Sequence, residues 1–261
     1  MSQAAAGERR VRYRELPLGG SLEATLTKRD DGSTLVVSKE ALQPYAARLT
    51  DRFLHWAEAA PERILVAKRV KGGDWRRVTY AEALAAARSI AQWLLAHPVS
   101  AERPVVILSD NDIEHLLLAL GAMLAGVPYA PVSPAYSLVS QDHGKLKHIV
   151  GLLTPGLVFA SGPTYAKAIA AAVPADTPVV LGEGALEVRP TVPFAELLAT
   201  APTDAVAAAH AKVGPDTIAK FLFTSGSTKL PKAVINTQRM LCANQQMIRQ
   251  CFPALQQEPP L

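Results

Sequence analysis

The chain has 261 residues, of which 49% are hydrophobic and 19% are charged. This composition excludes a disordered polypeptide and allows one large domain with a substantial core. The 27 Lys and Arg residues against 23 Asp and Glu give a net charge of +4, an excess too small to indicate a nucleic-acid partner.

The first part of the chain predicts two β-hairpins and two helices. A flexible tail is expected over residues 1–20. The predicted hairpins are Leu22–Val37, which turns at Asp-Asp-Gly-Ser, and Ile64–Val78, which turns at Gly72-Gly73. The predicted helices are Leu49–Ala60, with Thr50 as N-cap, and Tyr80–Ala96, with a capping box of Thr79 and Glu82.

From Pro104 onward, short apolar strands alternate with helical segments. The predicted strands are Val105–Leu108, Leu157–Ala160, Val179–Leu181, Ala219–Thr224 and Ala233–Ile235. The predicted helices are Ile113–Ala125, Ser137–Leu153, Tyr165–Ala172, Phe194–Ala199 and Gln238–Phe252. The Ala-rich segment Ala201–Pro215 is predicted to be a surface connection. This alternation is typical of an α/β fold with mainly parallel sheets flanked by helices.

The sequence predicts a cytoplasmic protein without a membrane partner. Residues 1–16 are small, polar and basic, and lack the apolar stretch of a signal peptide. The longest apolar stretch, Leu116–Val127, is shorter than the roughly 20 residues that a membrane span needs. Cys242 and Cys251 form no Cys-x-x-Cys pair, so they are expected to be reduced thiols.

The segment Phe221–Ala233, FLFTSGSTKLPKA, joins a buried strand to a run of small residues. Its hydroxyl groups and the backbone N–H groups around Gly226 can surround an anion. Lys232 adds a positive charge that suits phosphate. Ligands of open α/β sheets bind beyond the carboxyl ends of the strands, where this loop is predicted to lie. A solvated Ser/Thr-rich turn is the alternative interpretation.

The same loop resembles the phosphate-binding signature of the adenylate-forming enzymes. That resemblance implies that ATP phosphates are bound by Thr224, Ser225, Gly226, Ser227, Thr228 and Lys232. Lys229 stands where the signature has Gly, so we expect the change Lys229→Gly to lower the KM for ATP. The scattered histidines are interpreted as solvated or capping residues, and no metal site built by the protein is predicted. Mg²⁺ would bridge the phosphates of ATP, mostly through water.

Longer stretches resemble acyl-CoA synthetases, and among them the feruloyl-CoA synthases. These stretches are Pro128–Ala160, Phe221–Pro253 and the first hairpin. The resemblance implies an acid–CoA ligase that uses ATP, Mg²⁺ and coenzyme A to activate ferulate or a related hydroxycinnamate through an acyl-adenylate. There are two alternatives: another aryl- or fatty-acyl-CoA ligase, and a non-catalytic fragment that binds a nucleotide or a partner.

The resemblance also implies a domain organisation. Residues 21–255 would form part of the AMP-binding N-terminal domain, and residues 256–261 a truncated end. The C-terminal domain is expected to be absent, with the catalytic residues beyond Leu261, so this chain alone is expected to be inactive. Apolar surface left unpaired by the absent strands would favour self-association.

Overall fold

The computed structural model describes Gly19 and residues 23–70, 72–187, 189–224 and 230–256. The flexible tail predicted over residues 1–20 and the truncated end predicted over residues 256–261 lie almost entirely outside these residues. The chain divides into two units. The smaller unit comprises the described parts of Met1–Tyr45 and Ala243–Leu261, and the larger unit is Ala46–Cys242.

The smaller unit contains the first predicted hairpin. Strands β1 (Ala24–Lys28) and β2 (Thr34–Ser38) pair antiparallel, which confirms that prediction. The turn between them needs glycine, because Gly32 has a φ of +82°. The Asp31 carboxylate accepts hydrogen bonds from both the backbone N–H and the hydroxyl of Ser33, which closes the turn.

The larger unit begins with two helices around the second predicted hairpin. These elements are α1 (Leu49–Ala59), β3 (Ile64–Arg69), β4 (Trp75–Thr79) and α2 (Tyr80–Leu95). The predicted capping box is confirmed. The Thr79 hydroxyl accepts from the Glu82 backbone N–H at 3.2 Å, and the Glu82 carboxylate accepts from the Thr79 backbone N–H at 2.8 Å.

The predicted N-cap of α1 is wrong. The helix starts after Arg48, whose backbone N–H donates to the Asp51 carboxylate at 3.1 Å. Thr50 lies inside the first turn and is buried. Its Oγ1 is 2.8 Å from Nε2 of His210, so the hydroxyl is used in a tertiary contact that the local sequence does not reveal.

Seven strands of the larger unit form one sheet in the order β11-β10-β6-β5-β7-β8-β9. They are β5 (Val105–Leu108), β6 (Tyr129–Pro131), β7 (Leu157–Ala160), β8 (Val179–Leu181), β9 (Val192–Pro193), β10 (Ile218–Thr224) and β11 (Lys232–Thr237). Only the pair β10–β11 is antiparallel in this sheet, as far as it is described, which confirms the mainly parallel α/β fold. Strand β10 pairs with β6 at one register position, Lys220 with Tyr129.

Strands β6 and β9 were not predicted. Each has only two or three residues, and each ends in a proline, Pro131 or Pro193. Proline is unfavourable within strands because it has no N–H to donate, so neither segment shows a strand pattern. Strand β6 is nevertheless the element that joins β10 to the rest of the sheet.

The remaining helices are α3 (Ile113–Ala125), α4 (Gly144–Leu153), α5 (Ala166–Ala172), α6 (Phe194–Ala199), α7 (Asp204–Ala211) and α8 (Gln238–Cys251). Helices α2, α3 and α6 cover one face of the sheet, and α4 and α5 cover the other. Side chains of β5 alternate between the two cores, as a buried strand requires. Among the described residues, no helix has both the length and the apolar character to cross a membrane.

One predicted helix and one predicted connection are wrong. Ser137–Leu153 is not one helix, because a π-helical turn at Ala135–Val139 is followed by an interruption in which His143 has a φ of +51°. Ala201–Pro215 contains α7, whose N-cap Thr203 accepts a hydrogen bond from the Ala205 backbone N–H. The Ala-rich composition that suggested a connection is itself favourable to helix.

Helices α2 and α3 approach each other closely at Gly121. A Cβ atom at this position would lie 2.5 Å from Cγ2 of Ile90 and 3.1 Å from the carbonyl oxygen of Ala87. Glycine is therefore required here for packing. Gly151 of α4 is different, because a Cβ atom there would meet nothing within 4 Å.

Candidate functional site

The carboxyl ends of the parallel strands meet at one edge of the sheet in the larger unit. Strand β10 ends there at Thr224, and β5, β7 and β8 end at the same edge. Polar or small residues follow the last three strands, namely Ser109, Ser161 and Gly182. Open α/β sheets bind their ligands at this edge, and Thr224, the last described residue before the predicted loop, ends β10 there.

Thr224 and Lys232 are the two predicted site residues that the structure describes. Thr224 is the last residue of β10, Lys232 is the first of β11, and the two are register partners. Directly opposed residues of an antiparallel pair point to the same face, with Cβ atoms about 5 Å apart. Both residues are exposed. Ser225, Gly226, Ser227, Thr228 and Lys229 lie outside the described residues.

The two faces of the β10–β11 pair differ in character. Phe221 opposes Ile235 on the face that packs towards α4, and Phe223 opposes Ala233 there. The other face carries Thr224 with Lys232 and, further from the loop, Leu222 with Val234 and Lys220 with Asn236. The face towards α4 is apolar at both pairs, whereas the opposite face is mixed and carries the polar pairs on either side of Leu222 and Val234.

Lys220 is a charged residue inside the strand that leads to the loop. It is half-buried, and this burial lowers the pKa of its ammonium group. Burial also raises the pKa of its register partner Tyr129 to about 12, so the phenol stays protonated. Sequence analysis did not single out Lys220, although a lysine within an apolar strand was a visible signal.

Helix α4 contacts the end of the loop through His148. Its Nε2 atom is 3.1 Å from the carbonyl oxygen of Pro231, the residue directly before Lys232. A carbonyl oxygen can only accept, so Nε2 carries the hydrogen and donates it. His148 was interpreted as a solvated or capping residue. The structure corrects this, because His148 is half-buried and contacts a residue that is remote in sequence.

A groove of about 520 Å³ runs along this contact. Its walls are mainly apolar, and it reaches the loop at His148, Pro231 and Lys232. No carboxylate within the described residues pairs with Lys232. A second groove, of about 510 Å³, contains Lys68 and Arg76, but these cations are paired with Asp112 and Glu114. Lys232 is therefore better suited to bind an added anion.

Other reactive groups do not form a site in the described part of the chain. No group of three His, Cys, Asp or Glu side chains there could hold a metal ion. Both cysteines are free, with Cys242 buried and Cys251 exposed. Burial raises the pKa of the Cys242 thiol, so this residue is a poor nucleophile.

The sequence profile of the AMP-binding enzymes matches residues 53–259. This chain belongs to the AMP-binding enzyme family. The matched range includes the whole loop from Thr224 to Lys232, and both core layers of the sheet lie within it. The loop is thus part of the family's shared region.

Two curated relatives of this AMP-binding enzyme are much longer than the chain itself. It is 28% identical to the L-2-aminoadipate reductase large subunit of Eremothecium gossypii over 205 residues. This match covers 73% of the present chain and 14% of the relative. The chain is 28% identical over 192 residues to indigoidine synthase of Streptomyces lavendulae, which covers 74% and 13%. The chain therefore spans a small part of the length of both curated relatives.

The third relative is a solved structure, the fatty acyl-adenylate ligase of L. pneumophila in complex with acyl adenylate and pyrophosphate. It superposes with a TM-score of 0.56 at 21% identity, over 77% of this chain and 32% of that one. The likeness shows that this AMP-binding enzyme has the fold of the N-terminal domain of adenylate-forming enzymes.

Proposed function

We propose that this chain supplies the ATP-phosphate site of an acid-activating, adenylate-forming ligase. The observation that carries the proposal is the pairing of Thr224 with Lys232 at the carboxyl edge of the sheet. This pairing brings a hydroxyl donor and a cation to the two ends of a Ser/Gly/Thr segment. Membership of the AMP-binding family supports a nucleotide as the anion that binds there.

The proposed reaction brings two anions together. The carboxylate of the acid attacks the α-phosphorus of ATP, an acyl-adenylate forms, and pyrophosphate leaves. Catalysis of such a step depends on positioning and on neutralisation of the phosphate charge. Lys232 would neutralise charge on the β- and γ-phosphates, and the Thr224 hydroxyl would donate a hydrogen bond to a phosphate oxygen.

Mg²⁺ would enter this site with ATP. It would be held mainly by phosphate oxygens and water. Its charge would add to that of Lys232 on the triphosphate.

We further propose that the acid is ferulate or a related hydroxycinnamate and that coenzyme A is the acceptor. The thiolate of coenzyme A would displace AMP from the acyl-adenylate and form the thioester. Support for this assignment is the resemblance of Pro128–Ala160 and Phe221–Pro253 to feruloyl-CoA synthases.

An amino acid is the second candidate for the activated acid. The observation that favours it is the similarity to a reductase named for L-2-aminoadipate. A fatty acid is a third candidate, because the superposed L. pneumophila structure is a fatty acyl-adenylate ligase. All three candidates share the proposed phosphate site and differ only in the acid.

Two measurements test the proposal. Calorimetric titration of the chain with Mg·ATP should show saturable binding, and the absence of binding would contradict the phosphate site. ATP–pyrophosphate exchange by the complete encoded protein should then be stimulated by ferulate more than by L-2-aminoadipate or a long-chain fatty acid. Preferential stimulation by either of the other acids would refute the hydroxycinnamate as substrate, but it would support an adenylate-forming activity.

A further inference from the structure

We propose that His148 is a positioning residue that fixes the orientation of the backbone at Lys232, the lysine proposed to bind phosphate. The inference rests on the proposed function, which gives Lys232 a phosphate to bind. His148 lies in α4, on a different element from both strands that flank the loop.

The first step of the argument is the contact itself. The distance of 3.1 Å between Nε2 of His148 and the carbonyl oxygen of Pro231 is that of a hydrogen bond. Pro231 is buried and has no backbone N–H, so this carbonyl is its only hydrogen-bonding group. A buried carbonyl that loses its donor is left unsatisfied.

The second step is the geometry of the peptide bond. The carbonyl of Pro231 and the backbone N–H and Cα of Lys232 lie in one rigid plane. A donor that fixes the carbonyl therefore fixes the orientation of that plane. The same contact thereby fixes the direction of the bond from the backbone nitrogen to the Cα of Lys232, the atom that carries the side chain.

The third step is the stiffness of the support. The buried face of α4 anchors it on the sheet through Leu146, Ile149, Val150 and Leu153. His148 lies beside this face and borders the groove whose walls include Leu152, Phe221 and Ala233. Leu152, Phe221 and Ala233 carry no side-chain donor, and His148 is the described side chain that hydrogen-bonds to the Pro231 carbonyl.

The test compares His148→Ala, His148→Phe and His148→Gln in the full chain. Loss of one ordinary hydrogen bond changes an equilibrium constant by about five- to tenfold. We therefore expect the Kd for Mg·ATP to rise by about that factor in the Ala and Phe variants. The Gln variant should restore most of the affinity, because its amide can donate to the carbonyl.

A second readout needs no nucleotide. Amide hydrogen exchange in the peptide covering residues 230–237 should be faster in the Ala and Phe variants and close to wild type in the Gln variant. His97→Ala is the matched control, because it removes an imidazole contact of 2.7 Å with the carbonyl of Trp93 in another part of the larger unit. It should leave both the Kd and this exchange unchanged.

The outcomes separate this inference from the proposed function. If the wild-type chain binds no Mg·ATP, the phosphate site is wrong, while exchange still reports whether His148 holds residues 230–237. Unchanged exchange in both the Ala and Phe variants would overturn the positioning role. An equal loss of affinity in all three variants, accompanied by an equal fall in Tm, would show a global effect and would also overturn it.

Discussion

Thr224 and Lys232 oppose each other across the antiparallel pairing of β10 and β11. The strand ladder thus holds the two residues that flank the segment 225–231 opposite each other. A hydroxyl donor and a cation are brought to one face at one edge of the sheet. Their separation is set by strand geometry, so the arrangement exists before any ligand binds.

The first prediction concerns the charge of Lys232. Replacing Lys232 by Ala should raise the Kd for Mg·ATP by about 10- to 100-fold, the range that corresponds to one charge-assisted hydrogen bond. The affinity for AMP should not change, because AMP lacks the β- and γ-phosphates. Calorimetric titration with both nucleotides measures this difference.

Lys68→Ala is the control for that prediction, since it removes the same charge from a lysine already paired with Asp112. It should leave both affinities unchanged. A loss of AMP affinity in Lys232→Ala as large as the loss of ATP affinity would show that Lys232 does not act on the terminal phosphates.

The second prediction concerns the close approach of α2 and α3. Gly121→Ala should lower the free energy of unfolding by about 1–3 kcal/mol, because the new methyl group would overlap Ile90 and overpack the core. Gly151→Ala should instead raise it by about 0.5–1 kcal/mol, because alanine favours helix and meets no neighbour at this exposed position. Urea denaturation of the two variants measures both changes in the free energy of unfolding. Changes of the same sign and size would contradict the packing argument.

The third prediction concerns the capping box of α2. Thr79→Ala should lower the free energy of unfolding by about 1 kcal/mol, because the Glu82 backbone N–H loses its acceptor. Thr79→Ser keeps the hydroxyl and should retain most of the stability. Urea denaturation is again the measurement, and a loss in the Ser variant equal to that in the Ala variant would exclude the cap as the cause.

The fourth prediction concerns pH. Burial lowers the pKa of His210, and the nearby charge of Arg48 lowers it further. The unfolded chain, in which the histidine pKa is about 6.5, therefore binds a proton before the folded chain does as pH falls. The contribution of His210 to the free energy of unfolding is therefore complete above the histidine pKa of the unfolded chain and is lost as the pH falls below about 6.5.

Urea denaturation at several pH values tests this dependence. His210→Gln should reduce the slope of stability against pH between about pH 5 and 7. The slope should not vanish, because burial also lowers the pKa of His115. An unchanged slope in the variant would show that His210 protonates equally in the folded and unfolded chains.

The local sequence was sufficient to predict the strands and helices whose pattern of apolar residues is long or distinctive. The buried strand Val105–Leu108 and the helix Ile113–Ala125 were predicted with their observed bounds. Strand β6 was missed because it is short and ends in Pro131. The π-helical turn at Ala135–Val139 was missed because its apolar spacing resembles that of an ordinary helix.

The candidate site was predictable in composition but not in geometry. The run of hydroxyl residues with Lys232 indicated an anion-binding loop, because those groups are chemically suited to phosphate. The pairing of Lys232 with Thr224 depends on β11 returning antiparallel to β10. The contact of His148 with Pro231 joins segments 83 residues apart in the chain. Neither relationship has a signature within a short window of sequence.

The attachment of β10 to the sheet has a dynamic consequence. Strands β5 and β7 share four register positions, whereas β10 meets β6 only where Lys220 opposes Tyr129. Few backbone hydrogen bonds join β10 to β6, so the core packing of Phe221 and Phe223 carries much of the attachment, and we expect this joint to open locally more readily than the pairing of β5 with β7. A ligand bound at Thr224 and Lys232 would oppose that opening, and its residence time would then reflect how often the strand pair opens.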